Sequence, residues 1–373
     1  MSETGVAGRP VQRLCAEGGF VDRPHGLASL AVTLMTAPVT GTTLSRAVAD
    51  GRDLRAVLTA RSLHLAVSGP PEHAWPVGGL ADNPVGEPVL KAVRALHLKQ
   101  ARAELADPVE RALHSVETAV WGVSRWSRYW GHGGPGRPEQ AWTGEAVVRV
   151  LAQWRPTAPT PRLGAGHHAV PATGPGVWRG GADEETTAAP ADPPPADGRA
   201  EIAVAVPLTG DHPGLSAVTA SVLLGAPHSG RLYVSLRERY GVAYGIAVVP
   251  LVRGAQAALL AVVSTTTSRA AECAKRLADE MRAFLSAPPD PAAVAGAQIA
   301  AARLRTVAAA RLASALPLTA VQRCLLEAGS TSGGPARDPV EEPQARVPDG
   351  ARPRWAVHGP GADVWGPRVR EAW

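Results

Sequence analysis

The stretch Leu223–Val249, LLGAPHSGRLYVSLRERYGVAYGIAVV, decides how the rest of the chain is read. It opens on a loop of small residues, Gly225 to Gly230. With no phosphate-binding context, that loop reads as a tight turn before a helix, with contact to a substrate as its functional alternative. From Gly230 to Tyr240 the pattern is helical, and Gly241 stops it. Tyr244 to Val252 then has the apolar run of a strand. Arg237 and Tyr244 stand seven residues apart across the stop.

Outward from this stretch, Glu201–Leu208 (EIAVAVPL) and Ala257–Val263 also read as strands, and Ser216–Leu224 as a helix. An amphipathic helix is expected over Ser268–Ala287. Cys273, Leu277, Met281, Phe284 and Leu285 share one face of it, and Arg276, Asp279, Glu280 and Arg282 the other. A Pro-Pro-Asp-Pro turn precedes an Ala-rich helix over Ala292–Ser314. Towards the N-terminus the same succession appears: a helix over Leu27–Met35, extended segments Leu54–Leu58 and Leu63–Val67, then a helix over Glu87–Leu105. That helix breaks at Asp107-Pro108, and another follows over Val109–Trp121. An order repeated in this way predicts an α+β fold of two similar lobes, each an antiparallel sheet packed with helices. The divisions expected are 1–168 for the first lobe, 169–199 for a Pro/Ala/Gly-rich linker, 200–329 for the second lobe and 330–373 for a low-complexity, Trp-bearing tail.

Composition narrows the function. The chain has 373 residues, enough for two domains, with 45% apolar and 19% charged residues and a net charge of +5. No run of five or six basic residues marks a nucleic-acid or membrane-surface footprint. Cys15, Cys273 and Cys324 are too few and too scattered for a disulfide framework or a cysteine-built zinc site. The longest apolar stretch, Leu27–Val39, is too short to span a bilayer. The polar start, Met1–Pro10, has no apolar core of a signal peptide, so a cytoplasmic location is expected.

No catalytic motif with a fixed signature occurs: no G-x-S-x-G, no phosphate loop, no H-E-x-x-H and no H-x-x-E-H. The adjacent pair His167-His168 is expected to point apart, as neighbours on an extended segment do, which disfavours a shared metal. His114 and Glu117, at i and i+3, have no third ligand near them in sequence, so an ion pair or hydrogen bond is the better reading. Trp126, Tyr129 and Trp130, interleaved with Arg125 and Arg128, fit a packed helix face better than a platform for nucleic-acid bases.

The opening stretch resembles the C-terminal half of a subunit of the pitrilysin/insulinase family, the inverzincin metallopeptidases. The residues that carry the resemblance are Gly225, Ser229, Leu232, Leu236, Arg237, Gly241, Val242, Ala243 and Tyr244. Active members of that family carry Gly-x-Ala-His-x-x-Glu-His on the first helix of their N-terminal half. There two imidazoles hold zinc and the carboxylate polarises the bound water. The corresponding stretch here is similar to it only in its frame, Gly26-Leu27-Ala28-Ser29-Leu30-Ala31-Val32-Thr33. The resemblance puts Ser29 and Thr33 at the ligand positions and Val32 at the general-base position. The family's third ligand, a glutamate, corresponds to Glu104 in RAELADP, and its supporting acidic position to His97.

By this resemblance the chain is expected to bind no zinc and to be inactive alone. It implies a non-zinc-binding subunit of a heterodimeric zinc metallopeptidase, one half of an enclosed chamber. The zinc would reside in a partner subunit with an intact H-x-x-E-H. Arg237 and Tyr244 would donate hydrogen bonds to the scissile carbonyl of a peptide, and Gly225 and Ser229 would contact that peptide. Leader-peptide removal during natural-product maturation is the substrate class suggested by analogy. The alternative is an inert peptide-binding or scaffold protein of the same fold.

Overall fold

The structure, a computed structural model, describes residues 11–17, 26–37, 53–58, 62–68, 85–121, 142–154, 156–157, 198–208, 213–253, 256–286, 289–313, 316, 318–330, 353–359 and 362. In chain order, the first elements are β1 (Val11–Glu17), α1 (Leu27–Thr36), β2 (Asp53–Leu58), β3 (Ser62–Ser68), α2 (Glu87–Leu105), α3 (Pro108–Trp121), α4 (Gly144–Gln153) and β4 (Pro156–Thr157). After them come β5 (Arg199–Leu208), α5 (Pro213–Gly225), a π-helical turn (Tyr233–Arg239), β6 (Gly245–Arg253) and β7 (Gln256–Thr266). The chain continues with α6 (Ala270–Ser286), α7 (Pro291–Ala313), α8 (Ala320–Ser330) and β8 (Arg354–His358). Helices and antiparallel sheets are therefore mixed along the chain. Among the described residues no helix is long and apolar enough to cross a membrane.

The chain divides into two compact units. The first comprises Met1–Ala106, Val123–Ala165 and Ala308–Leu318. Its sheet runs β2-β3-β1-β4 with every neighbour antiparallel, Leu14 facing Leu65 and Leu54 facing Val67. Helix α1 is apolar on most of its circumference, so it is buried on most sides, between the sheet and helices α2 and α4. Leu30, Met35, Leu63, Leu90 and Trp142 are fully buried there. The Thr143 hydroxyl accepts from the Ala146 N–H and caps α4. The Arg94 side chain donates to the carbonyl of Trp142.

The second unit comprises Asp107–Gly122, Gly166–Val307 and Thr319–Trp373. Its sheet runs β6-β7-β5-β8, again antiparallel throughout, and the strand order matches that of the first sheet. Both faces of β5 are covered. Ile202, Val204 and Val206 join the core that holds Leu224, Cys273, Leu277 and Met281. Ala203 and Ala205 instead meet Ala112, Leu113 and Val116 of α3. Strand β7 alternates in the same way, with Leu259 and Val263 on the first side and Leu260 and Val262 on the second. Larger side chains thus face α5 and α6, while β5's alanines let α3 approach. Asp107 caps α3, its carboxylate accepting from the N–H groups of Val109 and Glu110 at 2.8 and 3.1 Å. Arg323 of α8 makes an ion pair with Glu110 of α3.

Three sequence expectations need correction. Helix α3 lies in the stretch 1–168 assigned to the first lobe, yet it completes the core of the second unit. The segment 330–373, read as a low-complexity tail, contains β8, which pairs with β5 in the register Val204 to Trp355 and Glu201 to His358. The helix expected over Gly230–Tyr240 is π-helical over Tyr233–Arg239. Residues 169–197 of the expected linker, the pair His167-His168 and the Trp126–Trp130 face lie outside the described residues.

Trp355 is 6% exposed and packs into the main core of the second unit. Trp355→Ala is expected to lower unfolding stability by about 3–5 kcal/mol, read from urea denaturation. A change within about 0.5 kcal/mol would return this segment to the status of a tail.

Candidate functional site

In the first unit, the positions matched to zinc ligands are occupied by a polar cluster between α1 and α2. Thr33 is buried, and its Oγ1 lies 3.0 Å from the Ser29 carbonyl, 3.0 Å from His97 Nδ1 and 3.3 Å from Gln100 Oε1. A hydroxyl carries one proton. If that proton goes to either carbonyl oxygen, the His97 contact requires Nδ1 to carry the hydrogen and Thr33 to accept it. The His97 ring also sits edge-on to Trp142, centroids 5.2 Å apart and planes at 80°. Ser29 and Val32 are half-buried on α1, and Val32 packs against the apolar core. Glu104 is in the last turn of α2.

The structure therefore brings Thr33 and His97 together as hydrogen-bond partners. A hydroxyl and one imidazole do not make a zinc site, which takes three or four protein ligands. Among the described residues no group of three or more His, Cys, Asp or Glu side chains is placed to hold a metal ion. Thr33 and His97 by themselves do not fit zinc.

The second unit carries the other set. A π-helical turn is rare because its wider ring of hydrogen bonds packs poorly, and such turns occur frequently at functional sites. Here Tyr240 N–H donates to the Ser235 carbonyl, five residues back, at 3.0 Å. Gly241 follows with φ of 62°, a left-handed conformation that glycine adopts without penalty. The next residues are tied down one group at a time. The N–H groups of Val242 and Ala243 both donate to the Leu236 carbonyl, at 2.8 and 3.2 Å, and that of Tyr244 to the Ser264 carbonyl at 2.9 Å. Arg269 Nη1 donates to the Gly241 carbonyl at 2.6 Å, and Thr265 Oγ1 to that of Val242 at 2.6 Å. Arg237 Nη1 donates to the Tyr244 carbonyl at 2.8 Å.

Arg237 and Tyr244 are thus joined through the main chain. The Arg237 guanidinium also lies over the Tyr233 ring, 5.2 Å from its centroid. Arg237 is exposed, and Tyr244 is 60% exposed on a backbone that cannot move freely. A guanidinium and a phenol held this way can donate hydrogen bonds to an oxygen brought up from solvent.

The loop before the π turn separates two roles that the sequence had joined. A Cβ on Gly225 would lie 2.7 Å from Val248 Cγ2 and 3.0 Å from its N, so close packing on β6 explains this glycine. A Cβ on Gly230 would lie 2.5 Å from Ala226 N. Ser229 is exposed on the same loop. His228 has φ of 63°, and its ring centroid is 4.9 Å from that of Tyr233.

The sequence places Glu280 on the charged face of its helix, with Arg276, Asp279 and Arg282. Its carboxylate accepts from Ser235 Oγ and Arg231 Nε, both at 2.6 Å, and so fixes the π turn to α6. Burial raises its pKa, but the hydrogen bonds from Ser235 and Arg231, with the charges of Arg231 and Arg239, outweigh burial and hold it below the ordinary carboxylate value. Arg269 and Thr265 fix the following loop, and nothing local marks this role for any of the three.

Residues 182–300 match the family model described as peptidase M16 inactive domain. The fold is similar to that of the peptidase M16 inactive domain from Pseudomonas fluorescens, with a TM-score of 0.52 and 12% identity over 94% of this chain and 92% of that one. A chain of complex III2 from Candida albicans has a TM-score of 0.52 and 10% identity, with 97% and 94% covered. The periplasmic protease PqqL from Escherichia coli has a TM-score of 0.51 and 12% identity, with 96% of this chain but 44% of that one covered. No curated protein matches the sequence. At such identities the three structures speak for the fold.

A carboxylate with a depressed pKa stabilises the fold at pH values above its unfolded pKa, and that contribution is lost as pH falls through its folded pKa. The stability gap between the native chain and Glu280→Gln is therefore expected to be full near about pH 7 and narrower at about pH 3. Urea midpoints at the two pH values measure it, and a gap independent of pH contradicts the clamp.

Proposed function

We propose, from a chain that belongs through residues 182–300 to the pitrilysin/insulinase family and lacks the family's zinc motif, that it is the non-zinc-binding subunit of a heterodimeric metallopeptidase. A partner chain with an intact H-x-x-E-H holds the zinc and activates the water. This chain contributes the other half of an enclosed chamber, built from two similar lobes, and lines it with Arg237 and Tyr244. Their donors meet the scissile carbonyl oxygen of a peptide and stabilise the negative charge that develops on it. Removal of a leader peptide from a ribosomally made product in the cytoplasm is the proposed task.

One observation carries this reading: two exposed donors stand beside main chain whose N–H groups at Val242, Ala243 and Tyr244 and carbonyls at Gly241, Val242 and Tyr244 are hydrogen-bonded, while the described residues of the first unit include no group of three or more His, Cys, Asp or Glu placed to hold a metal ion. A donor fixed before the substrate arrives needs no reorganisation in the transition state, which is the condition for electrostatic catalysis. The structural neighbour from complex III2 is itself part of an assembly, as this reading requires of the present chain.

The test is kinetic. In the reconstituted pair, Arg237→Ala is expected to lower kcat/KM by about 10²–10³, mostly in kcat, and Tyr244→Phe to act in the same direction. If both variants assemble with the partner and turn over peptide at the native rate, the chain is an inert peptide-binding or scaffold protein of the same fold.

A further inference from the structure

The face around the π turn carries more positive charge than its own carboxylates neutralise. Arg231 is paired with Glu280 at 2.6 Å, Arg276 with Glu272 at 2.9 Å and Arg282 with Asp279 at 3.0 Å. Glu238 approaches His228 at 4.0 Å. Three exposed guanidiniums, those of Arg237, Arg239 and Arg269, have no carboxylate within 4.0 Å among the described residues, and of these Arg239 acts on Glu280 only through its charge. Arg237 and Arg269 each give a hydrogen bond to a neutral main-chain carbonyl. The Arg239 guanidinium lies over the Tyr240 ring, 5.5 Å from its centroid, and Arg276 lies over that ring at 3.7 Å.

A guanidinium has several N–H donors in a planar fork, so one bond to a carbonyl leaves most of them for a ligand. The fork matches a carboxylate, which it binds through two parallel hydrogen bonds. Contact with the Tyr240 ring restricts Arg239 beforehand, which reduces the entropy lost when a ligand is held. Glu238, Glu272 and Asp279 are interspersed among the cations and repel an extended polyanion such as a nucleic acid. A single carboxylate on a mostly neutral chain meets the surplus without that repulsion.

We propose that the peptide received by this chain carries an acidic residue beside the bond presented to Arg237 and Tyr244, and that Arg239 and Arg269 bind its carboxylate. This rests on the reading that Arg237 and Tyr244 face the peptide, and it adds the class of sequence that the face selects.

Three fluorescein-labelled decapeptides, identical except for Glu, Gln or Lys at the central position, test it by anisotropy on the full chain without a partner. The Glu peptide is expected to bind about tenfold more tightly than the Gln peptide and the Lys peptide least, with the preference shrinking as salt rises. Arg239→Gln is expected to abolish the preference and Arg239→Lys to keep part of it. Arg269→Gln weakens it too, and melting curves show whether loss of the Gly241 tie has also loosened the fold. The proposal is overturned by equal binding of the three peptides, by absence of binding, or by a preference that survives Arg239→Gln. Tighter binding of a single-stranded oligonucleotide at the same salt also overturns it. Turnover by the Arg237→Ala pair is read separately. Native turnover there with the Glu preference intact removes the subunit reading alone, and reduced turnover with no preference removes the acidic selection alone.

Discussion

The main chain between Gly241 and Tyr244 is held by hydrogen bonds to five residues, and the geometry of the candidate site depends on that restraint. Leu236 receives two N–H groups from ahead of it, β7 takes a third through Ser264, and Thr265, Arg269 and Arg237 donate to the carbonyls. A segment that satisfies its polar groups in this manner leaves few conformations open. The π turn before it adds a residue to the helical ring and sets the direction in which Arg237 leaves the backbone. Glu280 then fixes that turn to α6 through Ser235 and Arg231. An exposed tyrosine and arginine are common on protein surfaces. An exposed pair mounted on so restrained a backbone is not, because restraint costs conformational entropy that solvent contacts do not return.

The first unit shows the opposite treatment of a similar resource. Helix α1 keeps the apolar frame that packs it against the sheet, and at Thr33 it keeps a polar contact with α2. Buried polar groups need partners, and Thr33 finds them in the Ser29 carbonyl, His97 and Gln100. The contact between α1 and α2 has thus become an internal hydrogen-bond cluster closed by Trp142. The exposed pair Arg237 and Tyr244 stands in the second unit. Cys273 of that unit belongs to the core: burial pushes its thiol up to about 12, against a hydrogen bond with Thr265 that lowers it. A thiol so protonated is packing material, not a nucleophile.

Much of the fold was legible because its signals are local. Leu27–Met35 and Glu87–Leu105 show helical periodicity, and Asp107-Pro108 marks the break that the structure turns into a capped start of α3. The strands β5 and β7 announce themselves by runs of Val, Ile, Leu and Ala, and their two-sided burial explains why those runs are almost free of charge. What stayed hidden is non-local. Strand β1, VQRLCAE, mixes charged with apolar residues and is ordered by pairing with β3. Strand β8 lies in a Pro- and Arg-rich stretch and exists because Trp355 reaches the core beside Val204. The π turn has the same residue pattern as an α-helix. Glu280 is 45 residues from the serine it binds, and no spacing rule connects them.

Affinity purification of the tagged chain from its native host, with mass spectrometry of what it retains, tests the central claim most directly. The account predicts one co-purifying protein, near one-to-one, whose sequence contains H-x-x-E-H and which brings zinc with it. A chain that emerges alone, with no such partner at any salt concentration that preserves weak complexes, would contradict the subunit reading.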